Sequence, residues 1–371
     1  MVRFVLDQGQ ITFLPQKITD TQGSSDTGEA IRLVNHTLMI EPVINKIHPD
    51  ILALICTLAF YNYLHSADEL IYPRAVSPQF LQILELHNFH PTMLNDDPLV
   101  KPRFVPKDAQ IALSWGGGFD SWAAYLLQPE LYSVIIHHHN PDSPIPKPDL
   151  VNLPEYITVT SNTRQLSELA NKEDEHAGWV VWSQVLIPTL WLAEKYKLGA
   201  IGIGGNLGSV FLKNGRQYHP AHLKPNLWFK TFQLVGLPLY LPLAGLTDLA
   251  VYRFLEKRTQ PAIDFSQIKY CSLSTTTENC HQCLKCQRRE LLLGRDLTVP
   301  VEAQGPTVDY LQRGKEEYAI WIDKYYQPAL QLVPPVVGLK TRLKQALQQV
   351  EIPLLPPEYE VMVEHYGWDL A

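Results

Sequence analysis

The pattern of apolar and polar positions changes at about residue 110 of this chain. From there, short and nearly continuous apolar runs alternate with segments that have helical spacing, as in parallel strands covered by helices on both faces. The predicted strands are "IALSW", "LYSVIIHHH", "YITVT" and "GAIGIGG", at 111–115, 131–139, 156–160 and 199–205. Helices are predicted from about residue 120, near 177–197 and near 246–258. The pattern indicates an α/β fold whose ligands bind beyond the carboxyl ends of the strands.

Two further regions flank this predicted domain of residues 108–299. Residues 1–107 contain the strand-like pieces "VRFVLD" and "HTLMIEP" and an apolar helix near 49–65, which predicts an N-terminal α+β domain of unknown role. A proline-bearing stretch at 101–110 reads as a linker. Residues 300–371 mix helical pieces with proline-rich connections and are predicted to form a C-terminal helical extension.

Composition narrows the class of protein. A hydrophobic fraction of 46% and a charged fraction of 19% are ordinary for a soluble globular chain. The formal net charge is -7, from 31 basic and 38 acidic residues, so we expect no nucleic-acid partner. The longest apolar run, at 51–60, is too short to span a bilayer, and the N-terminus lacks the apolar core of a signal peptide. We therefore expect a cytoplasmic protein without a membrane partner.

The stretch "SWGGGFDSW" places three glycines, Gly116, Gly117 and Gly118, between a predicted strand and a predicted helix. Such a turn can present successive backbone N–H groups to an anion, and the positive end of the helix dipole adds to the attraction. Ser121 can donate its hydroxyl to a phosphate oxygen, and Asp120 can bind Mg²⁺ or brace the loop. The turn is thus a candidate nucleotide-phosphate site.

Two other glycine-rich loops that bind nucleotides have residue spacings that this turn lacks. A Walker loop needs Lys and Ser or Thr after its last glycine, and a dinucleotide fold needs G-x-G-x-x-G; neither is present. The alternative that remains is a plain glycine turn in which Asp120 caps the next helix.

Four of the five cysteines fall within sixteen residues and suggest a metal site. Cys271, Cys280, Cys283 and Cys286 have the spacing C-x8-C-x2-C-x2-C, and C-x2-C turns suit tetrahedral Zn²⁺ held by four thiolates. With no open ligand position, the site would be structural, a zinc knuckle over 271–286. The alternatives are an iron–sulfur cluster and four free thiols.

"GGGFDS" resembles the S-G-G-x-D-S loop of the N-type ATP pyrophosphatases, the PP-loop superfamily. The resemblance implies a Rossmann-like, adenine nucleotide alpha hydrolase-like sheet with helices on both faces. It also implies that the loop binds ATP and that the enzyme transfers AMP to a carboxylate or carbonyl oxygen with release of pyrophosphate. The first serine of the family loop is Gly116 here, and Ser114 is the candidate for supplying that hydroxyl.

The loop followed by this cysteine spacing is similar to 7-cyano-7-deazaguanine synthase. "CLKCQRRELLLG" and "AIGIGGN" resemble segments of that family, the latter with Gly204 and Asn206 at matching positions. The family adenylates 7-carboxy-7-deazaguanine with ATP, converts the acyl-adenylate to an amide with ammonia, and dehydrates the amide to the nitrile. The resemblance therefore implies ATP, Mg²⁺ and Zn²⁺ as cofactors, a deazapurine acid as substrate, and Gly204 and Asn206 in the nucleotide pocket.

Departures from that family favour a divergent member. The family's Y-G-Q-R-H segment is "HHHN" here, His137 to Asn140, and its Y-P-D-C motif is absent. Alternate strand residues share a face, so His137 and His139 lie together, and either one of them acts as an acid or base or the two belong to a solvated strand end. Together with the added N-terminal region, these departures resemble the large relatives of the synthase in bacterial anti-phage defence operons, which implies a protein amine as acceptor or a defence-complex partner. The alternatives are a catalytically impaired nucleotide-binding subunit and an authentic synthase that uses ammonia.

Overall fold

The computed structural model describes residues 1–15, 17, 21–24, 30–127, 129–139, 155–170, 181–206, 212–213, 216–217, 224–243, 251, 254–255 and 268. The strands bounded within these residues are β1 (Val2–Asp7), β2 (Gln10–Pro15), β3 (Gln22–Ser24), β4 (Ala30–Leu33), β5 (Thr37–Glu41), β6 (Glu69–Ile71), β7 (Thr92–Met93), β8 (Gln110–Trp115), β9 (Val134–His139), β10 (Glu155–Ser161), β11 (Ser167–Leu169), β12 (Leu198–Ile203), β13 (Leu212–Lys213), β14 (Arg216–Gln217) and β15 (Leu239–Tyr240). The α-helices are α1 (Pro49–Ala59), α2 (Pro78–Leu86), α3 (Phe119–Leu127), α4 (Ile187–Trp191) and α5 (Lys224–Leu234). Short 3-10 turns cover Tyr61–Tyr63, Pro129–Leu131, Thr163–Gln165 and Trp182–Leu186.

Ten of these strands form one mixed sheet in the order β15-β12-β8-β9-β10-β5-β2-β1-β6-β7. The neighbours from β15 to β10 are parallel, as are β1, β6 and β7, while β10, β5, β2 and β1 pair antiparallel. The fold is therefore α/β with a largely parallel sheet, as the apolar runs predicted.

The five parallel strands β8, β9, β10, β12 and β15 have a strand order that reverses beside β8. Numbered along the chain, they lie in the order 3-2-1-4-5. From β8 the chain passes to β9 on one side, and it later enters β12 on the other side. The next strands of this sheet after β8 and after β12 therefore lie on opposite sides, and we call the space beyond the carboxyl ends of these two strands, where ligands of such sheets bind, the crevice.

Helical segments cover both faces of the parallel strands. The ring of Trp115, the last residue of β8, packs against Trp122 of α3 with centroids 5.2 Å apart. Ser114 points to the opposite face, since successive side chains of a strand alternate. There its Oγ lies 3.4 Å from the carbonyl oxygen of Val185 in the 3-10 turn that leads into α4.

The N-terminal strands extend the same sheet over the same core. The antiparallel pairing of β5 with β10 joins strands from both sides of the predicted boundary at residue 107. Buried apolar side chains from both sides belong to one continuous cluster. Its N-terminal part is aromatic: Phe13 stacks on Phe60 with centroids 4.9 Å apart, and Phe4 stacks on Tyr72 at 5.5 Å.

Hydrogen bonds from Arg103 hold the proline-bearing segment 101–110 against the parallel sheet. Its Nε donates to Glu194 Oε1 at 2.5 Å, and its two terminal nitrogens donate to the carbonyls of Gly236 at 2.8 Å and Leu198 at 2.6 Å. The guanidinium is almost fully buried, so these bonds replace the water that it loses.

The prediction of a long helix near 177–197 was wrong about the length of the helix. Within its described part, residues 181–197, the chain forms a 3-10 turn and then the short helix α4, with Pro188 in the first turn of that helix. Proline has no backbone N–H to donate, so it fits a helix start and not a helix interior. The helix expected near 246–258 lies outside the described residues, apart from positions 251, 254 and 255.

Candidate functional site

The glycine turn lies directly after β8, at the crevice where the strand order reverses. Gly117 has φ +75°, a left-handed conformation that favours glycine. The amide of Trp122 donates to the carbonyl of Gly118 at 3.1 Å, and α3 starts within the turn. The chain thus changes from strand to helix in three residues, which leaves the first turn of α3 facing the carboxyl edge of the sheet.

The hydroxyl of Ser121 stabilises the turn from inside. Its oxygen accepts a hydrogen bond from the amide of Gly116 at 3.0 Å. The hydroxyl hydrogen stays available, because the oxygen acts as acceptor in this bond. Ser121 can therefore brace the turn and donate to a bound oxygen at the same time.

Asp120 and Asn206 connect the two strand ends that border the crevice. Asn206 follows β12, is buried, and donates from Nδ2 to Asp120 Oδ1 at 3.0 Å. Because this bond uses one carboxylate oxygen, it fixes the orientation of the other. A carboxylate held in this way has the oxygen chemistry that Mg²⁺ prefers.

Gly204 allows this close approach of β12 to α3. A Cβ at Gly204 would lie 2.5 Å from the backbone carbon and oxygen of Asp120 and 2.8 Å from the nitrogen of Ser121. No side chain fits that space, so the glycine is required by contact and not by its own backbone conformation.

The structure brings together most of the residues that the sequence predicted for this site. Gly116, Gly117, Gly118, Asp120, Ser121, Gly204 and Asn206 all lie at the ends of β8 and β12. Ser114 lies one strand position before Trp115, with its hydroxyl directed to Val185 on the far face. The predicted zinc ligands Cys271, Cys280, Cys283 and Cys286 lie outside the described residues.

The three histidines end β9, the strand next to β8. His137 and His139 share a face, as expected, with ring centroids 6.4 Å apart. Burial, with a smaller effect from His139, lowers the pKa of His137 to about 4. His138 faces the other way and shares a hydrogen bond of 2.7 Å between its Nε2 and Ser161 Oγ. Burial lowers its pKa to about 3, so both rings are neutral near pH 7.

Two aromatic residues near the site could not be identified from the sequence pattern. The indole nitrogen of Trp115 and the hydroxyl of Tyr132 are both buried and have no hydrogen-bond partner among the described residues. The Tyr132 ring packs where a Cβ of Gly202 would stand, 2.5 Å from its Cε1. An unpaired buried polar atom costs about 1–3 kcal/mol. Nothing in their spacing marks these residues, because the contacts come from the folded sheet.

Within the residues that the structure describes, no group of three His, Cys, Asp or Glu side chains is arranged to hold a metal ion. In the same part of the chain, no helix is both long and apolar enough to cross a membrane.

Comparison with known proteins gives one match. Residues 227–298 match a family of unknown function, DUF6395. The matched stretch begins in α5 and contains all four cysteines of the predicted zinc knuckle. No curated protein and no solved structure matches the chain.

Proposed function

We propose that this protein is an ATP-dependent enzyme that adenylates a carboxylate on a Rossmann-like α/β domain. The observation that carries the proposal is the contact between the glycine turn after β8 and the Gly204–Asn206 segment after β12, at the point where the strand order reverses. In open parallel sheets, ligands bind at such a point, and helix N-termini there suit phosphates. The geometry agrees with the PP-loop resemblance of "GGGFDS".

The residues at the turn have distinct proposed roles. The backbone amides of Gly117 and Gly118 and the Ser121 hydroxyl hold phosphate oxygens of ATP. The Gly116 amide is already bonded to Ser121 and shapes the turn. Asp120, oriented by Asn206 at 3.0 Å, holds the Mg²⁺ that accompanies ATP. We keep Ser114 as a candidate phosphate contact only if its hydroxyl turns away from Val185 when ATP binds.

The proposed reaction has two steps. A carboxylate oxygen of the acid attacks the α-phosphorus of ATP, and pyrophosphate leaves. An amine then attacks the acyl carbon, AMP leaves, and the amine gives up a proton. The resemblance to 7-cyano-7-deazaguanine synthase makes 7-carboxy-7-deazaguanine or a related deazapurine acid the proposed substrate. The acceptor is ammonia or a protein amine, the latter in an anti-phage defence system.

Zn²⁺ is the proposed structural metal. Four thiolates at C-x8-C-x2-C-x2-C spacing would hold it in a closed tetrahedral site, which braces a loop and takes no part in the chemistry. Metal analysis of the purified protein should find about one zinc per chain; iron with bound sulfide would point to the cluster instead.

The direct test is AMP and pyrophosphate release from ATP, with 7-carboxy-7-deazaguanine compared against other carboxylic acids. We expect release that depends on the deazapurine acid. Asp120→Asn and Ser121→Ala should reduce turnover while circular dichroism stays unchanged. Wild-type turnover in both variants would remove the glycine turn from the mechanism. Adding ammonium or the defence partner then separates the acceptors, and formation of the nitrile would identify an authentic synthase.

A second candidate is a nucleotide-binding subunit with impaired catalysis. One observation favours it: Gly116 replaces the first serine of the family loop, so one phosphate donor is missing. Among the described residues, a Cβ at Gly116 would meet only Ser121 Oγ, at 3.7 Å, so we expect Gly116→Ser to fit the turn. For an impaired subunit, we expect tight ATP binding, no AMP, and AMP formation in the Gly116→Ser variant. Equal AMP release by wild type and variant would dismiss this candidate.

A further inference from the structure

His137 is a buried side chain at the carboxyl edge of the sheet, and one of its two ring nitrogens has no hydrogen-bond partner among the described residues. It is 3% exposed, and its Nε2 has no hydrogen-bond partner among the described residues. In β9 it lies directly opposite Trp115, the residue before the glycine turn. Neighbouring strands are about 4.8 Å apart, so His137 stands one strand away from the proposed phosphate site.

The surroundings of His137 are aromatic. Its ring centroid lies 5.8 Å from that of Tyr156 and 6.4 Å from that of His139. The indole nitrogen of Trp115, also without a partner among the described residues, belongs to the same face of the sheet. His139 is half-buried and is the last residue of β9.

A second buried histidine in this chain provides the contrast. His87 is 2% exposed, and both of its ring nitrogens are bonded: Nδ1 lies 3.0 Å from Tyr61 Oη and Nε2 lies 2.7 Å from Thr231 Oγ1. That arrangement is typical of a histidine with a structural role, since buried polar groups are ordinarily satisfied. His137 departs from it at the edge where a nucleotide is proposed to bind.

We propose that His137 hydrogen-bonds the ring of a purine-like ligand, with Tyr156 and His139 supplying aromatic surface against which that ring packs. A neutral imidazole offers one donor and one acceptor, as the edges of purine-like rings do, and aromatic faces favour stacked or edge contacts. The inference rests on the proposed function, in which two such rings enter the site: the adenine of ATP and the ring of the deazapurine acid. His137 is then a specificity-determining residue.

The test is equilibrium binding of AMP and of 7-carboxy-7-deazaguanine, by calorimetry, to wild type, His137→Phe and His137→Gln. His87→Phe is the matched control, because it removes a buried imidazole away from the crevice. We expect His137→Phe to weaken one ligand about tenfold, the effect of losing one hydrogen bond, and to leave the other unchanged. The weakened ligand identifies the ring that His137 binds. Gln keeps a donor and an acceptor, so it should restore part of the affinity.

Folding and function are separated by two readouts. His137→Phe removes an unpaired polar atom, so we expect a melting temperature equal to or above that of wild type, while His87→Phe should melt lower. If His137→Phe binds both ligands as wild type does, or wild type binds neither, the inference is overturned. If the expected loss of binding occurs but wild type forms no AMP with any acid, the inference stands and adenylation fails. If His137→Phe does not fold, His137→Gln with wild-type affinity for both ligands overturns the inference.

Discussion

Two pairs of polar residues, each with one member in the N-terminal region and one at the carboxyl edge of the parallel strands, differ in how their hydrogen bonds are made. Asp50 and Asp120 show this, since each is the second residue of a helix, α1 or α3. Asp50 is buried, and its two oxygens accept bonds from the amide and the hydroxyl of Ser77 at 2.9 and 2.7 Å. Asp120 is only half-buried, at the edge of the crevice, and accepts a bond from Asn206.

The same contrast separates two histidines. His87 has both nitrogens bonded, whereas Nε2 of His137 has no partner in the part of the chain that the structure describes. A buried polar group with its bonds made stabilises the fold, and one that lacks them costs stability unless a ligand completes it. The N-terminal region thus uses these polar residues for architecture, and the parallel strands keep theirs at the edge where a ligand is proposed to bind.

The largest expected effect comes from removing the two aspartates in turn. Asp120→Ala should lower AMP release about 100-fold, in line with the loss of one electrostatic contact to a transition state. Asp50→Ala should leave the turnover of folded protein unchanged and lower the free energy of unfolding by about 2–3 kcal/mol, because Ser77 loses both acceptors. Steady-state AMP release and urea unfolding measure the two effects.

The contrast between the two aspartates would be contradicted if Asp120→Ala behaved as we expect Asp50→Ala to behave. If Asp120→Ala unfolds as easily as Asp50→Ala and its folded fraction still releases AMP at the wild-type rate, Asp120 only stabilises the first turn of α3 and the crevice has lost its proposed metal ligand.

The parallel strands could be predicted for a physical reason, because continuous apolar runs mark strands that are buried on both faces. The placement of 204–206 near 116–121 was implied by the resemblance of "AIGIGGN" and "GGGFDS" to segments of known families, and not by the strand pattern. The sequence did not predict the hydrogen bond between Asn206 and Asp120, because 86 residues separate the two side chains.

The next effect in size concerns the space at Gly204. Gly204→Ala places a methyl group 2.5 Å from the backbone of Asp120, so β12 and α3 must separate. We expect a loss of about 1–3 kcal/mol of stability, as for other overpacked sites, with at least a tenfold fall in AMP release. Gly116→Ala is the matched control for stability, because its new methyl group would meet only Ser121 Oγ, at 3.7 Å, in the part of the chain that the structure describes. Thermal melts that rank the two variants the other way round would contradict the packing argument.

The joining of the N-terminal strands to the same sheet could not be predicted. The pairing of β5 with β10 links residues more than 100 positions apart, and it depends on two strand edges that meet only after folding. Strands as short as the two residues of β7 or of β15 are too short to show an alternation of apolar and polar side chains. Bonds such as that of His87 to Thr231, across 144 residues, are likewise set by tertiary packing.

A smaller effect is expected from His87→Phe. The substitution removes the bonds to Tyr61 and Thr231, although Thr231 keeps its bond to the carbonyl of Leu227 at 2.9 Å. We expect a loss of about 1–2 kcal/mol at pH 7, since the phenyl ring recovers part of the cost by burial. Urea unfolding of His87→Phe beside His137→Phe measures the difference between a bonded and an unbonded buried histidine. Equal losses of unfolding free energy in the two variants would mean that the bonded and the unbonded histidine contribute equally to stability.

The pH dependence of stability gives the smallest expected effect and tests the burial of His87. Burial, with a smaller effect from His65, lowers the pKa of His87 from 6.5 to about 3. Between these values the unfolded chain binds a proton that the folded chain does not, so stability falls as the pH drops through this range. The slope from His87 is at most about 1.4 kcal/mol per pH unit, and His87→Phe lacks it.

Since the variant starts about 1–2 kcal/mol below wild type, the two stability curves should cross near pH 5 and reverse their order at lower pH. Parallel curves from pH 7 to pH 4 would mean that His87 takes up its proton in the folded state as readily as in the unfolded one, and that burial does not hold it neutral.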